Sequence, residues 1–214
     1  MIYDRRVDTG EIARLLRPYV ELTERQLAQT STYIDVLLKW NARVNLTSVR
    51  EPAAIVTRHF GESFFAAKSL VSVDWTGAAV DVGSGAGFPG IPLAMYAPEA
   101  KVTLIESQGK KAAFLNEVIH ALGLSQVKVF SRRAEEYAGS ADLVTMRAVE
   151  KFERALPEAC RLVAPGGCLA LMIGDAQIGR AIGLLSGLKW DKPIAVPGSE
   201  RRVLLTGTRM VTVG

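Results

Sequence analysis

The chain is poor in the residues from which several common kinds of protein are built. Its 214 residues include only two cysteines, Cys160 and Cys168, and two histidines, His59 and His120. So few thiols and imidazoles cannot frame a disulfide-stapled fold or a zinc cluster, and no bound metal is expected. No apolar run approaches the roughly 18 residues that span a bilayer. The opening Met1-Ile2-Tyr3-Asp4-Arg5-Arg6 lacks the apolar stretch of a secretion signal. Together these absences predict a soluble cytoplasmic protein without a membrane partner. Internal repeats and low-complexity segments are also missing, so no solenoid is expected.

What remains is an ordinary globular composition, 49% hydrophobic and 22% charged, enough for one sizeable core and a small appendage. The formal net charge of +4 is modest, but it is unevenly placed: residues 147–214 carry ten Lys and Arg against six Asp and Glu. A polyanionic partner is compatible with that excess without being required by it.

The sequence is organised around Asp81-Val82-Gly83-Ser84-Gly85-Ala86-Gly87-Phe88-Pro89-Gly90. The apolar run Gly77-Ala78-Ala79-Val80 leads in and Ile91-Pro92-Leu93-Ala94-Met95 leads out, so the segment reads as a strand turning sharply into a helix. Alternate glycines let the backbone take positive φ and bring bare main chain against a ligand, while free N–H groups at the helix start face the turn. Two ligand classes use such a loop: nicotinamide or flavin dinucleotides, and S-adenosylmethionine. The dinucleotide spacing fits residues 85–90, but it puts Gly83 where that fingerprint has a packed aliphatic residue. The methyltransferase pattern acid-x-Gly-x-Gly-x-Gly is filled at every position by Asp81, Gly83, Gly85 and Gly87, and fits better. A carboxylate at Asp81 has the charge to orient the ammonium group of the methyl donor, directly or through water.

Before this loop the pattern is helical. Thr23-Glu24-Arg25-Gln26 has capping-box spacing, and Leu27, Thr30, Ile34, Leu37 and Leu38 form one stripe of a helix ending at Trp40-Asn41. Pro52 suits the first turn of a second helix over 51–70, with Ile55, Val56, His59, Phe60 and Phe64 on one face. His59 reads there as a core or interface histidine. Residues 1–72 are therefore expected to form a helical extension packed on a catalytic domain over 73–214.

After the loop, strands and helices alternate, the mark of a parallel sheet covered on both faces. Strands are predicted at 101–105, 126–130, 142–146 and 168–173, with helices at 109–122 and 152–163. The tail has β-like runs at 193–196, 202–205 and 210–213. In such a sheet a ligand lies outside the carboxyl ends of the strands. Glu106 ends the second strand, where a carboxylate accepts hydrogen bonds from both ribose hydroxyls of an adenosine. Ala134-Glu135 follow the third strand, at the adenine edge, and Arg147 ends the fourth on the side of methyl transfer, with a positioning role.

At this point Asn45-Leu46-Thr47-Ser48-Val49-Arg50, Arg58-His59, the 81–93 segment, Lys110-Lys111 with Phe114-Leu115, Arg132 with Glu135-Glu136, and Arg147-Ala148 occur in one order. Over roughly residues 25–210 the chain resembles the bacterial 16S ribosomal RNA guanine-N7 methyltransferases, the glucose-inhibited division protein B family. The resemblance implies a class I, Rossmann-like α/β methyltransferase. Its seven-stranded, mostly parallel sheet has an antiparallel last strand, preceded by a helical extension. It further implies S-adenosylmethionine as methyl donor, 16S rRNA of the small ribosomal subunit as partner, and a monomer. Gly83, Phe88, Ala134, Glu135 and Arg147 match the family's cofactor contacts. The chain departs from the family in having Met146 where serine is common, Ile173-Gly174 where Lys-Gly is common, and Glu62 in the region of an aspartate after the Arg-His pair.

The missing residues agree with this chemistry. Guanine N7 has an in-plane lone pair and no proton, so no general base is expected. A cytosine-C5 enzyme needs a nucleophilic cysteine at a strand end, and an exocyclic-amine enzyme a Pro-Pro-aromatic segment where Met146-Arg147-Ala148 stands. Substrate contacts are expected from Asn45, Arg50, Arg58 and Arg201, with Arg43, Lys151 and Arg202 as further basic candidates. Phe88 or Trp40 would offer a face for the base to stack on. An NAD-dependent oxidoreductase with Glu106 on the ribose, and a non-catalytic RNA-binding protein, are the alternatives.

Overall fold

Strand register decides the architecture. The computed structural model describes residues 8–149 and 152–211. In it β1 (Ala78–Val82) pairs in parallel with β2 (Lys101–Ile105) on one side and β4 (Ala141–Arg147) on the other. Beyond β2 lies β3 (Val127–Phe130), and beyond β4 lies β5 (Val163–Gly174), both also parallel. β8 (Arg202–Arg209) runs antiparallel between β5 and β6 (Leu188–Trp190), giving the order β3-β2-β1-β4-β5-β8-β6. The short β7 (Ile194–Ala195) pairs with β8 off this path, so the sheet counts eight strands, one more than expected. Chain order reverses between β1 and β4, and such a switch point opens a crevice at the carboxyl edge.

The helices follow from capping and from apolar stripes. α1 (Thr9–Leu16) is capped by Asp8, and α2 (Glu24–Asn41) by Thr23 with the reciprocal bond from Gln26. α2 buries Thr30, Ile34 and Leu37 as its stripe foretold, and also Tyr33. The second predicted helix is continuous over α3 (Pro52–Ile55) and α4 (Glu62–Leu70), but a π-helical segment, Val56–Gly61, joins them. α5 (Gly90–Tyr96) follows the glycine loop. α6 (Gly109–Leu122) ends at Gly123 in the left-handed region, and Ala112, Leu115, Val118 and Leu122 are buried along with Phe114.

Later elements differ more from the sequence reading. α7 (Phe152–Arg161) stops two residues short because Leu162 turns to accept from the Ala141 amide and Val163 already pairs with Ala141 in the sheet. α8 (Ile178–Leu184) and β6 were not foreseen; their residues alternate too weakly to announce an element. The 210–213 run is not a strand at Met210 and Val211, which are each 60% exposed past the end of β8; Thr212 and Val213 lie outside the described residues. Among the described residues no helix is long and apolar enough to cross a membrane.

Helices and sheet share one apolar cluster on the α2 side. Ile12, Leu16, Phe60 and Phe64 from the first helices bury with Ile91, Leu104 and Phe114. At its centre Tyr33 stacks on Phe88 (centroids 5.3 Å, interplanar angle 5°) and meets the edge of Phe60 at 5.0 Å. Its hydroxyl donates to the Ala86 carbonyl, so the glycine loop is held from α2 by a single side chain. Tyr33→Phe should therefore cost about 1–3 kcal/mol by stranding that buried carbonyl, and Tyr33→Ala more, about 3–5 kcal/mol by analogy with other aromatic truncations. Urea midpoints of the two variants against the parent check the order.

Candidate active site

Register continues past the last paired residues. Val82 is aligned with Ile105 and with Met146, so Gly83, Glu106 and Arg147 leave three adjacent strands side by side. The amides of Gly83 and Ser84 both donate to the Ile105 carbonyl at 3.0 Å, which fixes the start of the loop against β2. A cavity of about 760 Å³ opens over this edge. Its two ends are chemically unlike.

At one end the wall is main chain and carboxylate, with Lys111, Arg132, Arg133 and Arg154 also lining the cavity and Arg154 3.8 Å from Glu135. Gly83 and Gly85 have φ of +70° and +55°. A Cβ at Gly83 would lie 3.0 Å from Val149 Cγ2, whereas one at Gly85 would find nothing closer than the Gly83 carbonyl at 3.8 Å. Gly85 thus presents bare backbone to open space in the cavity. Glu106 is 7% exposed, and its two oxygens each take one main-chain amide, Oε2 from Gly85 at 3.0 Å and Oε1 from Gln108 at 2.7 Å. Each oxygen keeps a second acceptor position. Ala134 and Glu135, in a 3-10 turn after β3, line the cavity there, and Phe88 lines it from behind the loop, against His59.

At the other end the wall is cationic. Arg147 donates through Nη2 to the Arg58 carbonyl (2.6 Å) and to Glu62 Oε2 (3.1 Å) and through Nη1 to Ser63 Oγ (3.2 Å). Glu62 Oε1 meets Arg202 Nη2 at 2.6 Å, so one carboxylate, with its side chain 3% exposed, serves two guanidiniums from different strands. Burial pushes the Glu62 carboxyl up, and Arg147, Arg202 and Arg58 oppose that shift. His59 stacks on Phe88 at 5.0 Å and its Nε2 is 2.7 Å from Thr47 Oγ1. Burial first, then the charges of Arg147, Arg58 and Arg202, lower its pKa to about 3, so the ring is neutral.

The structure thus gathers Gly83, Gly85, Phe88, Glu106, Ala134, Glu135, Arg147 and Arg58 around one cavity. It does not bring Asp81 there. Asp81 is 1% exposed behind the loop, its Oδ1 accepting from Thr145 Oγ1 at 2.7 Å, and a Cβ at Gly90 would lie 2.9 Å from its Oδ2. It joins β1 to β4 through Oδ1 and does not line the cavity, while its buried Oδ2 has no hydrogen-bond partner. Gly87 (φ +85°) also lies off the cavity; a Cβ there would run into the Tyr33 hydroxyl and Ile91, so its smallness serves packing against α2. Asn45, Arg50 and Arg201 are exposed outside the cavity, and Lys151 is outside the described residues.

The stacking faces expected of Phe88 and Trp40 are not available. Phe88 is 7% exposed, packed with Tyr33, His59 and Phe60, and Trp40 is tied to Glu117 through Nε1 at 2.9 Å, away from the cavity. Sequence reading missed the part played by His59, Glu62 and Arg202. A hint existed in Arg58, His59 and Glu62 lying within one helical turn, but their partners come from β4 and β8, and no spacing rule links such distant positions.

With this geometry in view, comparison with known proteins is decisive. A family model described as rRNA small subunit methyltransferase G matches residues 26–179. The chain belongs to the rRNA small subunit methyltransferase G family. A ribosomal RNA small subunit methyltransferase G of Chloroflexus aggregans is 36% identical over 94% of this chain and 92% of its own length. One from Roseiflexus sp. is 40% identical over 87% and 84%. Solved structures agree on the fold: ribosomal protein L11 methylase from Lactobacillus delbrueckii superposes with TM-score 0.61 at 14% identity, covering 72% of this chain and 79% of that one. An S-adenosylmethionine-dependent O-methyltransferase from Thermotoga maritima gives 0.58 at 17%, covering 71% and 66%. Family and fold make the chain an S-adenosylmethionine-dependent methyltransferase.

The residues present fit that donor. Open space beside the Cβ-less Gly85, and two spare acceptor positions on Glu106, suit an adenosine with a ribose diol. Glu106→Ala should weaken binding of S-adenosylhomocysteine by about 10- to 100-fold, the loss of charge-assisted hydrogen bonds worth about 1.5–3 kcal/mol, as read by calorimetry. His59 makes a separate prediction. Its folded pKa of about 3 lies below the ordinary imidazole value of 6.5, so between these pH values the unfolded chain binds the extra proton. Stability should fall as pH drops from 6.5 toward 3, and His59→Gln should flatten that part of a urea-midpoint profile.

Proposed function

We propose that this chain transfers a methyl group to N7 of a guanine in small-subunit ribosomal RNA. One observation carries the reading beyond the family. At the Arg147 end of the cavity the described acids and imidazole are already engaged, Glu62 by two arginines and His59 by Thr47 and Arg147, and none is free to remove a proton. Guanine N7 needs no such help, since its lone pair is unprotonated at neutral pH.

S-adenosylmethionine, when bound, supplies a methyl carbon on a positively charged sulfur. With that donor bound, an N7 lone pair would form the new bond to the carbon as the sulfur–carbon electron pair returned to sulfur. No proton moves, and the positive charge passes to the purine. What the protein contributes is alignment, which in favourable reactions supplies roughly 7–11 kcal/mol. Glu106 and the glycine loop hold the nucleoside half, and the fixed guanidinium of Arg147 bounds the space left for the base.

Residues 1–72 act in this reading as a helical extension that completes the base side of a catalytic domain over 73–214. Arg58, exposed and at the cavity wall, takes a backbone phosphate near the target. Asn45, Arg50, Arg43 and Arg201, exposed further out, extend that contact along the RNA. The protein works as a cytoplasmic monomer on ribosomal particles.

Labelled methyl transfer to 30S particles and to naked rRNA, both from cells lacking the enzyme, followed by nucleoside analysis, is expected to yield N7-methylguanosine. A different methylated nucleoside, or none with either substrate, overturns the proposal. RNA binding should weaken linearly with salt on a log–log scale. Arg58→Ala should reduce the steepness of that dependence by about one unit, the signature of one lost phosphate contact.

A further inference from the structure

The cluster formed by Glu62, Arg147 and Arg202 has a feature that packing alone does not require. A fully covered carboxylate is shared by two guanidiniums that both line the cavity, one at the end of β4 and one at the start of β8. One negative charge against two positive ones leaves about a single unit of positive charge on that wall. The exposed Arg58 stands beside them and adds to it. This is the side on which, in the function proposed above, the base sits.

The reaction moves charge toward this wall. A neutral guanine enters, and as the carbon–nitrogen bond forms, the ring takes over the positive charge that the sulfur gives up. Guanidiniums fixed beside the ring stabilise the neutral base through its electron-rich O6 and N7 edge, and then oppose the developing cation. Electrostatic effects of this kind are strong where water is excluded. The magnitude of the opposition depends on how much of the arginine charge is offset.

We infer that Glu62 is a positioning residue for methyl transfer: it holds Arg147 and Arg202 in the cavity wall and offsets their charge where the purine becomes cationic. The contacts suit both tasks. Each carboxylate oxygen is committed to a different arginine, Oε2 to Arg147 and Oε1 to Arg202. Arg147 also donates to the Arg58 carbonyl and Ser63, so a side chain at position 62 that keeps a hydrogen-bond acceptor but loses the charge should leave the guanidinium held and uncompensated. Glu62 itself is 2% exposed and does not line the cavity.

The inference rests on the guanine-N7 reading, and the test separates the two. Wild-type enzyme is assayed first; formation of N7-methylguanosine establishes the reading independently of any variant. Glu62→Gln, similar in size and neutral, is then compared for kcat, for KM toward rRNA, and for S-adenosylhomocysteine affinity by calorimetry. A fall in kcat of tenfold or more, with KM and product affinity each within threefold of the parent, is expected. Unchanged kcat, or a loss confined to KM or to product affinity, overturns the inference.

The double variant Glu62→Gln with Arg202→Gln restores the wall's original net charge, and should regain at least a third of the kcat lost. A purely structural role for Glu62 predicts further loss in the double variant, and that result also overturns the inference. Should Glu62→Gln fail to fold, Glu62→Asp carries the test, since it keeps the charge and shortens the reach. A kcat within threefold of the parent supports the charge argument, and a fall beyond tenfold overturns it.

Discussion

Parallel pairing of β1 with both β2 and β4 is the constraint from which the active site follows. Hydrogen-bond register puts Val82, Ile105 and Met146 in one row. The next residues along, a glycine, a glutamate and an arginine, are thereby delivered to one edge without any loop having to bring them together. Each has a different chemical character, and the row therefore sets the acceptor oxygens of Glu106 apart from the guanidinium of Arg147 along one cavity wall. A one-residue slip in either pairing would turn Glu106 or Arg147 to the opposite face of the sheet.

The helices before β1 add a wall to that edge. Tyr33 holds the loop through the Ala86 carbonyl, and Phe88 is packed by Tyr33, His59 and Phe60, so the loop's shape is stabilised by aromatic side chains from a distant part of the sequence. The same helices supply Arg58, His59 and Glu62. The core and the chemistry thus share residues, and His59 is a clear case: it is a packed ring, a hydrogen-bond partner and part of the cavity wall at once.

Most of the sheet, and the residues that line the cavity beside the glycine loop, were legible in the sequence because both rest on local rules. β2 and α6 match their predicted ends, since an apolar strand ending in Glu106 and a helix stopped by Gly123 are written in contiguous residues. Gly83, Gly85 and Glu106 could be found by spacing from the loop. Asp81 misled for a physical reason: a strand-end acid can brace neighbouring strands as well as face a ligand, and only the fold shows which way it turns. Gly87 misled similarly, since a glycine needed for a close-packed tyrosine looks the same as one needed for a ligand. At the cationic end Arg58, Arg147 and Arg202 were named one by one, but their meeting around Glu62 was not legible, because these residues come from separate elements far apart in the sequence.

The π-helical segment Val56–Gly61 has a consequence of its own. A regular helix advances about 100° per residue, so the one residue accommodated by the wide turn sets the rotational phase of everything before it relative to α4. Here that phase leaves the carbonyl oxygens of Arg58 and His59 pointing at the Arg147 guanidinium, which donates to both. The segment works as a socket cut into a helix for a cation arriving from the sheet. Its shape can be lost by removing a single residue, so chain length between Pro52 and Glu62 is as tightly specified as the identity of any side chain it carries.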